Sequence, residues 1–156
     1  MNSTRRVFLQ KIMLGGASIV AMGTGLLNSA QVLAAWPAKA FDAENLDEAI
    51  QALFEGQTAE PSAAITLKAP DIAENGAVVP ISVSTDLENV ESITVLVENN
   101  PSPLAASFKL TADVIPDVST RIKMGETSNV IAMVKADGKL FMTSKEVKVT
   151  IGGCGG

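Results

Sequence analysis

Histidine and tyrosine are both missing from this chain of 156 residues. Their absence removes the commonest general base, the commonest metal ligand and a phenolic acid, so no ordinary serine triad can be assembled. Cysteine occurs once, as Cys154. A single thiol closes no internal disulfide, and beside scattered methionines it makes no zinc, copper or haem site. Basic residues are too few for a cationic surface, with 12 Lys and Arg against 17 Asp and Glu and a formal charge of −5. Nucleic acid and anionic membrane surfaces need clustered Lys and Arg to displace counterions, so neither is expected as a partner. A long apolar run is missing as well. The stretch from Ile12 to Leu27 is interrupted by Gly15, Gly16, Gly23 and Gly25, whereas a spanning helix needs about 20 predominantly apolar residues. No permanent membrane anchor is expected. Nor does a glycine-rich phosphate loop follow any strand-like run, which leaves nucleotide binding without support.

What is present begins with a leader. Arg5, Arg6 and Lys11 precede the short apolar stretch, and the run Val32-Leu33-Ala34-Ala35 follows it. That order is the anatomy of a signal peptide, with cleavage expected near Ala34 or Ala35. Ser3-Thr4-Arg5-Arg6-Val7-Phe8-Leu9-Gln10 resembles the twin-arginine export motif, departing at Gln10, where Lys is usual. The resemblance implies export of an already folded protein to a bacterial periplasm. Cleavage would remove three basic residues and no acidic one, deepening the formal charge from −5 to −8.

Residues 41–56 then read as one helix, with Leu46, Ala49, Ile50, Leu53 and Phe54 at helical spacing. Asp42 is the expected N-cap, Phe41 and Leu46 are placed as a hydrophobic staple, and Gly56 is the expected stop. From Pro61 onward seven β-rich runs follow, at 64–68, 78–85, 91–98, 104–110, 119–124, 129–135 and 140–151. Alternation is clear from Ile81 to Ser84 and from Val147 to Ile151. Asp137-Gly138 supplies a hairpin turn, Asn99 to Pro103 breaks the chain, and Pro80 marks a strand end, edge or bulge. Turns this frequent, without long helical crossovers, predict an all-β, immunoglobulin-like antiparallel β-sandwich with one N-terminal helix and a flexible C-terminal arm. The expected organisation is a signal peptide over 1–35, a helical segment over 36–60, the sandwich over 61–151 and the arm over 152–156.

Few side chains remain for chemistry. Asp42, Glu44, Asp47 and Glu48 are close enough to suggest Ca²⁺, but they fall in the first turns of the helix, where acids favour its dipole. Glu88 and Glu91 flank a turn with no pocket between them, which sets aside a pair of glycosidase carboxylates. No catalytic residue, metal ligand or cofactor is assigned. Cys154 is left, bracketed by Gly152 and Gly153 on one side and Gly155 and Gly156 on the other. Four glycines remove every neighbouring side chain and widen the backbone's freedom. A thiol on such an arm can enter a narrow active site, which is what a covalent carrier requires. An exposed thiol in an oxidising compartment also risks oxidation and cross-linking, so an idle one is a liability. Two other uses fit less well. One is an exported structural or interaction module whose terminal cysteine forms an intermolecular disulfide. The other is a ubiquitin-like carrier ending in Gly155-Gly156, against which the leader and the sandwich pattern both argue.

The segment Val147-Lys148-Val149-Thr150-Ile151-Gly152-Gly153-Cys154-Gly155-Gly156 resembles the end of the SoxY family, the carrier subunits of the bacterial sulfur-oxidising Sox system. The resemblance continues through residues 93–105, the hairpin at 135–140 and the twin-arginine leader. It implies an immunoglobulin-like domain in a heterodimer with a SoxZ-like subunit, exported on the leader of this chain. It also implies that a haem-containing partner joins thiosulfate oxidatively to the Cys154 sulfur, after which a hydrolytic enzyme releases sulfate. The chain is therefore expected to be a non-catalytic carrier whose only attached group is the covalent sulfur adduct on Cys154. A cysteine thiol has a pKa of about 8.5, and no Lys, Arg or helix N-terminus stands beside Cys154 to lower it, so activation is expected from a partner's pocket.

Overall fold

A computed structural model describes residues 38–150 of the chain. Two helices stand where one was expected: α1, Ala38–Phe41, and α2, Leu46–Phe54. The break falls at Asn45, whose backbone is extended (φ −144°, ψ 164°) and whose side chain accepts the Glu48 N–H at 2.9 Å. Asn45 therefore caps α2 in place of Asp42, whose own N–H closes α1 on the Ala38 carbonyl. The cap satisfies a free donor of the first turn. Apolar periodicity marks the body of α2 and says nothing about which polar residue before it turns the chain. The Phe41 and Leu46 staple depended on a cap at Asp42 and falls with it. The stop lies where expected, with Glu55 at φ 52° and Gly56 at φ 79° both left-handed.

Among the described residues nine strands follow: β1 Ala59–Pro61, β2 Ile65–Lys68, β3 Ile72–Ala73, β4 Val79–Thr85, β5 Val90–Val97, β6 Leu104–Lys109, β7 Asp117–Ile122, β8 Ser128–Ala136 and β9 Lys139–Val149. Seven coincide with the expected runs. The additional two, β1 and β3, each pair in parallel with β9, whereas the other pairings are antiparallel. One sheet has the order β1-β9-β8-β5-β6, with β3 joined to β9, and the other has the order β2-β4-β7.

The two sheets face each other across a core. Ile65, Val79, Ile81 and Val83 of the smaller sheet meet Ile93, Val95, Val97, Val130, Ala132, Val134 and Val147 of the larger. On the far face of the larger sheet, Ala40, Ala43, Ala49 and Phe54 pack with Leu96, Leu104, Ile131, Met133 and Leu140. The larger sheet is thus covered on both sides. That explains why β5 from Ile93 to Val97 and β8 from Val130 to Val134 are buried at every residue, as in sheets enclosed by two layers. In β4, which has one face on the core, buried residues alternate with less buried ones from Val79 to Thr85.

Pro80 and the Asp-Gly turn behave as their chemistry predicts. β2 joins β4 only from Ser82 onward, so the N–H that Pro80 lacks interrupts no pairing with β2. Asp137 and Gly138, at φ 49° and 71°, close the β8–β9 hairpin, and Asn89 Nδ2 donates to the Asp137 carboxylate at 2.9 Å.

Candidate functional site

Arg5, Arg6, Gly152, Gly153, Cys154, Gly155 and Gly156 lie outside the described residues. What is visible is how the chain is held as it approaches them. The pairing of β9 with β8 ends at Val147 opposite Ser128, so Lys148, Val149 and Thr150 overrun β8. The backbone N–H of each of these three residues is hydrogen-bonded, and Thr150 Oγ1 also donates to the Ala73 carbonyl at 3.5 Å. On one side the Lys148 N–H donates to the Asp71 carbonyl at 3.0 Å and the Thr150 N–H to the Ala73 carbonyl at 3.1 Å. On the other the Val149 N–H donates to Thr127 Oγ1 at 3.0 Å, a side chain standing in for the strand that has ended. Cys154 is five residues beyond Val149, so covalent geometry keeps it within about 18 Å of that anchor.

The segment that supplies β3 is itself pinned. Lys145 Nζ donates to the Ala69 carbonyl at 2.6 Å and pairs with Asp71 Oδ1 at 2.9 Å. The Met124 N–H donates to the Gly76 carbonyl at 2.7 Å. A Cβ at Gly76 would come within 2.3 Å of the Met124 oxygen and 3.0 Å of Val149 Cγ1, so close backbone approach requires glycine there. The neighbouring loops are braced by Asn99 and Asn100. Asn99 donates from its backbone to Ser128 Oγ at 2.9 Å and from its side chain to the Thr127 carbonyl at 3.1 Å. Asn100 donates to the Lys123 carbonyl at 2.7 Å and accepts from the Gly125 N–H at 3.0 Å. A dipeptide that reads in sequence as a chain break thus supports the loop that carries Thr127.

The Lys145 ammonium holds the Asp71 carboxyl below its ordinary range, first through the hydrogen bond and then through charge. A carboxyl depressed by folding stabilises the fold above its unfolded pKa, and that contribution is lost as pH falls through the depressed folded value. The pair is therefore intact at neutral pH and lost in acid below 3.8. An NMR titration of the Asp71 carboxyl should give a midpoint below 3.8, and Lys145→Met should return it to that ordinary value.

The other acidic candidates do not assemble into a site. Asp42, Asp47 and Glu48 line a solvent-open trough of about 850 Å³ with Lys39 and Gln51, and Glu48 Oε2 accepts the Glu44 N–H at 3.3 Å. Among the described residues no three His, Cys, Asp or Glu side chains converge as a metal site, and no helix is long and apolar enough to cross a membrane. Glu91 is committed to the fold. Its Oε1 accepts the Gly138 N–H at 3.0 Å and its Oε2 pairs with Lys135 at 3.2 Å, which together hold its carboxyl below the usual range. Glu88 sits on the exposed turn before β5. Sequence reasoning missed β3, Thr127 and the Lys145–Asp71 pair. The only local signal was Pro70, which marks a loop and not what the loop holds.

These features define a class: a β-sandwich domain that braces one strand end ahead of a glycine-flanked cysteine. Residues 50–154 match the family described as sulfur oxidation protein SoxY, a range that takes in Cys154. The solved structure of the sulfur carrier protein SoxY from Chlorobium limicola f thiosulfatophilum is 44% identical with a TM-score of 0.63, covering 73% of this chain and 99% of its own. The chain belongs to the SoxY family of sulfur oxidation proteins. A superoxide reductase (neelaredoxin) from Ignicoccus hospitalis reaches a TM-score of 0.50 at 17% identity, over 56% of this chain and 80% of its own, a likeness of fold alone. Curated proteins give no match.

Proposed function

We propose that this chain carries thiosulfate-derived sulfur covalently on Cys154, in the periplasm, and presents it to successive enzymes without catalysing a step itself. The observation that carries the reading is the family match, which runs through the lone cysteine between its paired glycines. Gly152, Gly153, Gly155 and Gly156 supply access, and Arg5 and Arg6 direct export through the twin-arginine pathway. The Cys154 thiolate and thiosulfate form one sulfur–sulfur bond, giving a cysteine S-thiosulfonate. The two electrons released pass to a haem-containing partner. Hydrolysis of the terminal sulfonate by a second partner then liberates sulfate and leaves a persulfide on Cys154. A SoxZ-like subunit completes a heterodimer. In support, among the described residues both sheets end in strands with one unpaired edge, β6 and β7 among them, onto which a second protein can add.

The acidic chain and the thiosulfate dianion repel each other, and nothing in the sequence beside Cys154 lowers its thiol pKa. The purified full chain incubated with thiosulfate is therefore expected to show slow or no mass increase until a haem-containing partner is added. Rapid loading of the chain alone would show that it activates its own thiol and would overturn this division of labour.

A further inference from the structure

We propose that residues 69–78 form a strap that fixes the root of the arm at Thr150 and thereby sets its reach. The purpose of the strap rests on the carrier reading above, whereas its geometry does not. β9 outruns β8 by the last residues before the glycines, and the strap is what meets it there. Its hold is slight by the standards of the core. The strand it contributes is two residues long, Ala73 is buried but Ile72 is 56% exposed, and the Lys145–Asp71 pair that pins it is open to solvent at Asp71. Few buried apolar contacts and exposed backbone hydrogen bonds are the marks of a segment that opens at a lower free energy than the whole fold. The body of β9 is paired instead with β8, which is buried at every residue from Val130 to Val134.

Closure and opening give the arm two lengths. With the strap closed, the chain is held as far as Thr150. With it open, Lys148, Val149 and Thr150 join the arm and extend it by about 10 Å. A short tether of fixed origin keeps the thiol at high local concentration before a docked enzyme, and a longer one samples more distant sites more dilutely. Lys145, Asp71 and Thr127 are thus positioning residues, acting on Cys154 through the backbone of β9.

Amide hydrogen exchange and ¹⁵N relaxation on the full chain test this directly. In Lys145→Met, which keeps the aliphatic stem, and in Asp71→Asn, exchange at Lys148 and Thr150 is expected to rise several-fold, while Met133 and Thr143 in the central ladder stay unchanged. Thr127→Val should produce its largest rise at Val149. Unchanged exchange at Lys148 and Thr150 in both latch variants would show that the ion pair does not hold the root. A rise spread equally over Met133 and Thr143 would show that the strap is part of the core and no separate unit. None of these readouts involves sulfur chemistry, so failure of the strap and failure of the carrier reading, seen as an absent adduct on Cys154, remain distinguishable.

Discussion

Replacing Cys154 with serine is expected to abolish covalent sulfur loading and thiosulfate oxidation while leaving the melting temperature unchanged. Serine keeps the size of the side chain and removes the one atom that forms sulfur–sulfur bonds. Its hydroxyl stays protonated at neutral pH, whereas the thiolate is the nucleophile in sulfur exchange. Among the described residues the two apolar clusters are complete up to Val149, and the substitution leaves each of their members in place. The paired measurement is intact mass after incubation with thiosulfate and the partner enzymes, alongside thermal unfolding. A serine variant that still gained sulfur would move the attachment point elsewhere and remove the central residue of the account.

Leu96→Ala is expected to cost about 3 kcal/mol, within the range for emptying a buried leucine site. Leu96 is fully buried between the larger sheet and the helices, among Leu104, Ile131, Met133 and Leu140 with Ala49 and Phe54. It also lies where β5 shifts register against β6, between Val95 and Leu96. For a domain of this size the loss corresponds to a fall in Tm of roughly 10 °C or more. Chemical denaturation gives the free energy directly. A loss below about 1 kcal/mol would mean that the helical layer is not seated on this face, since even a partly collapsed site costs more.

How much of this was legible beforehand follows from the physics of each element. β4 and the end of β9 touch the core with one face, so period two showed them plainly, and Asp137-Gly138 announced its own turn. β5 and β8 appeared only as apolar runs. Their burial at every residue comes from a helical layer whose position a linear pattern does not encode. The start of α2 was hidden because its periodic residues Leu46, Ala49, Ile50 and Phe54 are preceded by two polar residues able to cap, Asp42 and Asn45. The chain turns at Asn45, whose side chain caps α2, while Ala40 and Ala43 before it are buried against the larger sheet. β1 and β3 are too short to carry any period and exist because β9 offers them an edge. At the site, Cys154 and its glycines were readable because their chemistry is local. The clasp was not, because Asp71, Thr127, Lys145 and Thr150 are far apart in sequence and meet only once the sandwich is folded.

The central claim, that Cys154 carries sulfur, is tested most directly by the mass of the peptide containing it. The protein would be isolated from cells grown on reduced sulfur compounds and measured before and after treatment with a thiol reductant. Increments of sulfur or of a sulfonate-bearing sulfur unit are expected on Cys154, and reduction should remove them. A Cys154 peptide recovered without any sulfur adduct, or only as a fixed disulfide to a second protein chain, would contradict that claim.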